Sequence, residues 1–242
     1  MCKFFSFVTD PVNHPAEYYY FDWDYRKANL DDDGTDSHSH ICTYYQLNED
    51  RCNKYEYNPL TRKFVIDQVN SNRDDSEAAE KWVNRLDFKT IVEPLIIKPI
   101  VNPFELPAVE RVTDEQIDWL KSWAPVWNSV RNSVGNSVRN SVGNSVWDSV
   151  WNSVEDVVWA SVWEVVWASV WDVDWDAVRV SVWAYFSSFF AIEYKFDFSS
   201  AVKLWEVGLV PSFDGKVWRL HSGKDAKIIY EWTPDKECED SE

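Results

Sequence analysis

The chain has 242 residues, room for one large domain or two small ones, and 45% of them are hydrophobic, which argues against intrinsic disorder. Its 41 acidic and 24 basic side chains leave a formal net charge of −17. That balance argues against a nucleic-acid binder that neutralises phosphates and against docking on an anionic membrane. No stretch reaches the roughly 18 apolar residues of a membrane span, and Met1–Val8 lacks a signal-peptide pattern. Four scattered cysteines, Cys2, Cys42, Cys52 and Cys238, are too few for a disulfide scaffold, so the expected setting is the reducing cytoplasm.

Residues 1–112 read as an α+β module. Lys3–Thr9 and Tyr18–Tyr25 are rich in aromatics and predict strands. Asp36-Ser37 is placed to cap a short helix from His38 to about Leu47. Tyr55-Glu56-Tyr57 and Phe64–Val69 flank the turn signal Asn58-Pro59-Leu60-Thr61 and predict a hairpin. Asp74 through Phe88 predicts a helix: Asp74 and Glu77 have capping-box spacing, and Ala79, Trp82, Val83 and Leu86 share one face. Ile91–Val101, interrupted by Pro94 and Pro99, predicts an edge strand or extended connector. Pro103 and Pro107 then lead to a second capping box, Thr113-Asp114-Glu115-Gln116.

Residues 113–190 hold that capping helix and a tandem repeat. From Val126 to Val182 a valine recurs at every fourth position, Asp174 excepted, usually preceded by serine and followed by Trp, Arg or Gly. Nine of the 16 tryptophans, from Trp127 to Trp183, occupy the position after the valine. A helix carries such a stripe poorly, because a period of four drifts about 40° per unit against 3.6 residues per turn. The units are also rich in mediocre helix formers, and Gly135 and Gly143 interrupt them. The expectation is therefore a short β-solenoid with valine inward, in coils of about 12 or 16 residues stacked at roughly 4.8 Å. The alternation Trp127, Arg131, Gly135, Arg139, Gly143, Trp147 follows single-base codon changes and reads as a recently expanded DNA repeat.

Residues 191–242 predict a helix plus β-hairpin module with a disordered acidic tail. Ser199-Ser200 caps Ala201–Val207, Gly208 stops that helix, and Val217–His221 pairs with Lys227–Trp232 across Ser222-Gly223 after a turn at Phe213–Lys216.

The tandem Ser-Val-Trp/Arg/Gly units, Val182-Trp183-Ala184-Tyr185 and Gly208–Gly215 resemble uncharacterised proteins of bacteriophages and bacterial metagenomes, over roughly the last half of the chain. That resemblance implies no activity and assigns no catalytic residue. A looser analogy is to pentapeptide-repeat proteins, whose acidic solenoids imitate duplex DNA.

Three functional readings follow. The first is a non-enzymatic binding protein whose acidic, tryptophan-rich repeat surface meets a protein partner, through Trp159, Trp163, Trp167, Trp171, Trp175, Asp148, Glu155, Asp156, Glu164 and Asp172, with self-association as one form of partnership. The second places an enzyme or metal site in residues 1–112. His38, His40, Cys42 and Cys52 supply the N and S donors that zinc takes, although paired Cys-x-x-Cys spacing is lacking. Cys2 as an N-terminal nucleophile lacks the expected Gly-rich continuation, and Asp31–Asp36 lacks the spacing of a calcium loop. The third is an acidic DNA mimic, with Asp174 and Asp176 added to the repeat acids.

Overall fold

The computed structural model describes residues 5–29, 36–92, 95–130, 150–155, 162, 166 and 175–234. They fall into two compact units. The first comprises residues up to Ile100 with two later pieces that end at Ser153 and Ile192; the second holds most of the remainder.

The first unit is built on a three-stranded antiparallel sheet of β1 (Phe5–Thr9), β2 (Asn53–Asn58) and β3 (Lys63–Val69), with β2 in the middle. Alternation decides its two faces. Phe7 lies opposite Tyr55 and Phe5 opposite Tyr57, and Phe7, Tyr55 and Phe64 pack on one face with Trp82 of α3 (Ser76–Val83). Val8 points the other way, into a cluster with Phe21, Ile41, Cys42 and Cys52 beneath α2 (His38–Tyr44). The hairpin reads as expected. Its turn is closed by the Asn58 side chain, which accepts from the backbone N–H of Leu60 and Thr61.

Asp75 fastens this sheet to α3. Its Oδ1 accepts from Thr9 Oγ1 at 3.1 Å, Asn53 Nδ2 at 2.7 Å and the Tyr55 hydroxyl at 2.6 Å. The carboxylate thus ties the end of β1 and the start of β2 to the start of α3. Asp74, expected to cap with Glu77, instead accepts from the Ser76 N–H, while Glu77 pairs with Lys81. The helix expected from Asp74 to Phe88 ends at Val83, because the Asn84 amide returns to the Glu80 carbonyl. Asp87 then caps a separate turn, α4 (Phe88–Ile91), by accepting from the Lys89 N–H.

Tyr18–Tyr25 is not a strand throughout. Tyr19 bridges Val8 of β1 through two backbone bonds, but Asp22 accepts from the Tyr25 N–H and starts helix α1 (Trp23–Ala28). From α1, Arg26 reaches inward to a buried, bidentate ion pair with Asp36 and donates from Nε to the Phe21 carbonyl. Of the expected extended stretch Ile91–Val101, Ile91 closes α4, while residues 95–101 carry one bridge, Leu95 to Phe190, and the Ile96 N–H donates to the Phe189 carbonyl at 2.7 Å.

The second unit packs α5 (Asp114–Val130), α6 (Trp175–Ser187) and α7 (Ser199–Glu206) with the antiparallel sheet β4 (Val210–Phe213), β5 (Trp218–Ser222) and β6 (Lys227–Trp232). The capping box forms: Thr113 Oγ1 accepts from the Gln116 N–H and Gln116 Oε1 from the Thr113 N–H. Leu120, Trp123, Ala124 and Trp127 recur at helical spacing and bury the inner face of α5. Trp127 meets Trp218 edge-on at 5.5 Å, and Phe213 stacks on Trp218 at 4.8 Å. Strand β4, unanticipated in the sequence, follows Gly208. That glycine has φ +83°, and an added Cβ would stand 3.2 Å from the Pro103 carbonyl oxygen.

The β-solenoid expectation is overturned. Among the described residues no strand contains a repeat unit: α5 runs through Val130, Val150–Val154 is helical with Glu155 in a π-helical turn, Val162 and Val166 are helical, and α6 begins at Trp175. The drift that argued against a helix assumes 3.6 residues in every turn. A π-turn holds more residues, rotates the chain less per residue and winds the stripe back. Serine is accommodated by bonding up its own helix, as Ser129 Oγ does to the Pro125 carbonyl at 3.1 Å. Burial then outweighs weak propensity. No helix of the described residues is long and apolar enough to cross a membrane.

Two predictions follow from buried polar groups. Asp36→Ala leaves the Arg26 guanidinium buried and unpaired, and should cost about 3–5 kcal/mol in a urea unfolding experiment; a loss below about 1 kcal/mol would mean that water reaches the pair. In β5, His221 is fully buried between Ser212 Oγ, 2.7 Å from Nε2, and the Ala226 carbonyl, 2.9 Å from Nδ1. Burial pushes its pKa down to about 4 from 6.5, so the folded chain holds the ring neutral where the unfolded chain protonates it. Its stabilisation is complete above pH 6.5 and lost as the pH falls towards 4, about 3 kcal/mol in all. The difference in stability between the wild type and His221→Gln, measured from pH 7 to 4 (about one unit per step), should carry that slope.

Candidate functional site

The segment Asp36–His40 is where the sequence concentrates chemistry, and each of its side chains has a defined partner. Asp36 holds Arg26. Ser37 caps α2 by accepting from the His40 N–H. His38 Nε2 lies 3.0 Å from the Tyr55 carbonyl and its Nδ1 lies 3.3 Å from Asp67 Oδ2, so both ring nitrogens face acceptors. Ser39 donates to Glu49 Oε1 at 2.7 Å, which also accepts from Lys54 Nζ at 2.6 Å. Those donors, Lys54 first, hold the Glu49 carboxyl below its ordinary range. His40 Nε2 meets the Tyr25 hydroxyl at 3.0 Å.

Helical spacing separates the four expected zinc ligands. His38 and Cys42, four apart, turn inward on one face of α2, whereas His40 turns toward α1. Cys42 and Cys52 come together as free, buried thiols in hydrogen-bonding contact. Among the described residues no three His, Cys, Asp or Glu side chains are grouped to hold one ion. The described side chains thus form a buried dithiol, a His38–Asp67 pair and a cluster of Ser39 and Lys54 on Glu49.

Within the dithiol the two thiols are driven in opposite directions. The hydrogen bond from Cys52 pulls the Cys42 thiol down, while the same bond, together with burial, pushes Cys52 up. Cys52→Ala removes the donor and should move the Cys42 ionisation upward, read as thiolate absorbance near 240 nm (an approximate maximum) during titration. An unchanged titration would show that the two sulfurs do not share a proton.

The other described histidines stand apart from these groups. His14 lies near Glu17 on the surface, His221 serves the core of the second unit, and Cys2, Cys238 and residues 31–35 lie outside the described residues. Sequence reasoning missed Asp67, Glu49 and Lys54 as partners of α2. Their signal was strand alternation: Lys54 and Glu56 must face away from Tyr55 and Tyr57, toward the helix on the opposite face of the sheet.

Of the expected partner-binding residues, Glu155 is half-buried in its π-turn. Trp175 belongs to the first turn of α6. Trp159, Trp163, Trp167, Trp171, Asp148, Asp156, Glu164 and Asp172 lie outside the described residues, as does Asp174. Among the described repeat valines Val126 is half-buried, and the later ones whose side chains are described are covered. Val150, Val154, Val162, Val166, Val178 and Val182 are each at most 1% exposed. At the next position Trp151, Glu155 and Trp183 are half-buried and Arg179 is exposed; Trp127 alone is covered, by β4 and β5.

Comparisons with known protein families, curated proteins and solved structures give no match to this chain.

Proposed function

We propose that this chain is a non-enzymatic binding protein that presents the acidic, tryptophan-rich surface of its repeat to a basic protein partner. The observation that supports it is the division just described: valine is inside in six described units, and the residue after it reaches the surface at Trp151, Glu155, Arg179 and Trp183. The same position carries Trp159, Trp163, Trp167 and Trp171 in the sequence. Indole faces next to carboxylates suit guanidinium and ammonium groups, through cation–π attraction and charge together. The formal charge of −17 favours fast encounter with a basic surface.

The test is a titration of the full chain with an arginine-rich peptide, followed by tryptophan fluorescence at two salt concentrations. Binding should weaken with salt, and replacing Trp159, Trp163, Trp167 and Trp171 together by serine should weaken it by about tenfold or more. Equal quenching by a glycine–serine peptide, or an unchanged affinity in the serine variant, would rule the reading out.

A further inference from the structure

A cleft of about 310 Å³ opens in the first unit, where the β2–β3 turn faces the end of α3 and the start of α4. Its inner wall is aromatic: Tyr57 and Phe88 stack with ring centroids 5.4 Å apart. Pro59, Leu86 and Ile97 supply apolar sides. Two cations, Arg62 from the turn and Lys89 from α4, line it as well, and neither forms an ion pair among the described residues. Asp87 is the one acid in the lining, and its carboxylate is already engaged with the Lys89 backbone N–H.

Three features set this cleft apart from ordinary surface. First, in a chain with 17 more acids than bases, two cations without an ion-pair partner among the described residues border one concavity. Second, Arg62 has φ +55°, a left-handed backbone that glycine or asparagine adopts more readily. The hairpin loop requires that conformation at this position, but nothing in the turn requires arginine. Third, Arg62 acts electrically on the cleft: burial pushes the Tyr57 phenol up and the Arg62 charge draws it back. The Tyr57 hydroxyl donates to Asn84 Oδ1 at 2.9 Å, which fixes the ring that forms the wall.

We propose that this cleft binds a small molecule with one anionic group, a phosphomonoester or a carboxylate, joined to a planar apolar body. The anion would lie between Arg62 and Lys89, and the planar body against the Tyr57 and Phe88 wall. The volume is at the small end for ligand sites, which fits a single ring system and is too small for a dinucleotide.

Isothermal titration of the full chain with phenyl phosphate, benzoate, inorganic phosphate and benzyl alcohol tests this. Phenyl phosphate or benzoate should bind at least about tenfold more tightly than benzyl alcohol and than inorganic phosphate; which of the two binds better identifies the anion. Arg62→Gly and Lys89→Gln should each weaken that binding by about tenfold. Arg62→Gly should also leave the melting temperature equal or higher, since glycine relieves the left-handed backbone. Benzyl alcohol binding as tightly as either anion, inorganic phosphate binding as tightly as phenyl phosphate, or both variants binding like the wild type would overturn the proposal.

Discussion

One carboxylate oxygen sets the register of the first unit. Three donors from two strands converge on Asp75 Oδ1, and Asp75 stands immediately before α3. Strand pairing alone tolerates a slip by one residue, which would exchange the two faces of a sheet. Here a slip of β1 against β2 would separate Thr9 from Asn53 and leave a partly buried carboxylate short of donors. Asn53 reinforces the point by donating also to the Arg73 carbonyl and accepting from the Ser71 N–H. With α3 fixed at its start, Trp82 comes to lie flat on Tyr18 at 4.1 Å and against Phe7 at 4.9 Å. The opposite face of the same sheet then offers Asp67 to His38. The chemistry around α2 is thus a consequence of where the strands are locked.

Much of this is legible in the sequence. Local signals that act within a few residues read correctly: the Ser37 cap, the Thr113–Gln116 box, the Asn58 turn and the stop at Gly208. Misreadings arose where a side chain had a stronger distant use. Asp75 serves the sheet and makes no cap bond, so the helix predicted from Asp74 starts two residues late. Asp22 sits in a run of aromatics that looks like a strand, yet one hydrogen bond to the Tyr25 N–H turns the chain into α1. The partners of His38 were hidden because they lie 17 and 29 positions away, on a hairpin that was legible but whose packing under α2 no local pattern specifies.

The repeat failed for a different reason. A period of four matches neither the ordinary helix nor a strand, and a coil of β-strands resolved that mismatch on paper. The described units are helical, and at Glu155 the turn widens to a π-turn, which rotates the chain less per residue. The recurring valine is the inward residue in six described units from Val150 to Val182, whereas at Val126 the covered residue is Trp127, and the backbone that carries these valines is helical. Constancy of a residue in a repeat therefore reports burial more faithfully than it reports secondary structure.

The piece of chain from Phe189 to Ile192 belongs to the first unit. Phe190 bridges Leu95, the Phe189 carbonyl accepts from the Ile96 N–H, and Lys98 Nζ lies 5.0 Å from the centre of the Phe189 ring. Asn58 likewise donates to Ser153 Oγ at 2.6 Å. During synthesis the ribosome delivers the sheet and its helices first, but the contacts that complete this unit arrive only after the whole repeat has been translated. The nascent chain must hold an unfinished amino-terminal unit through that interval, and a fragment cut at residue 100 would remain permanently in the unfinished state.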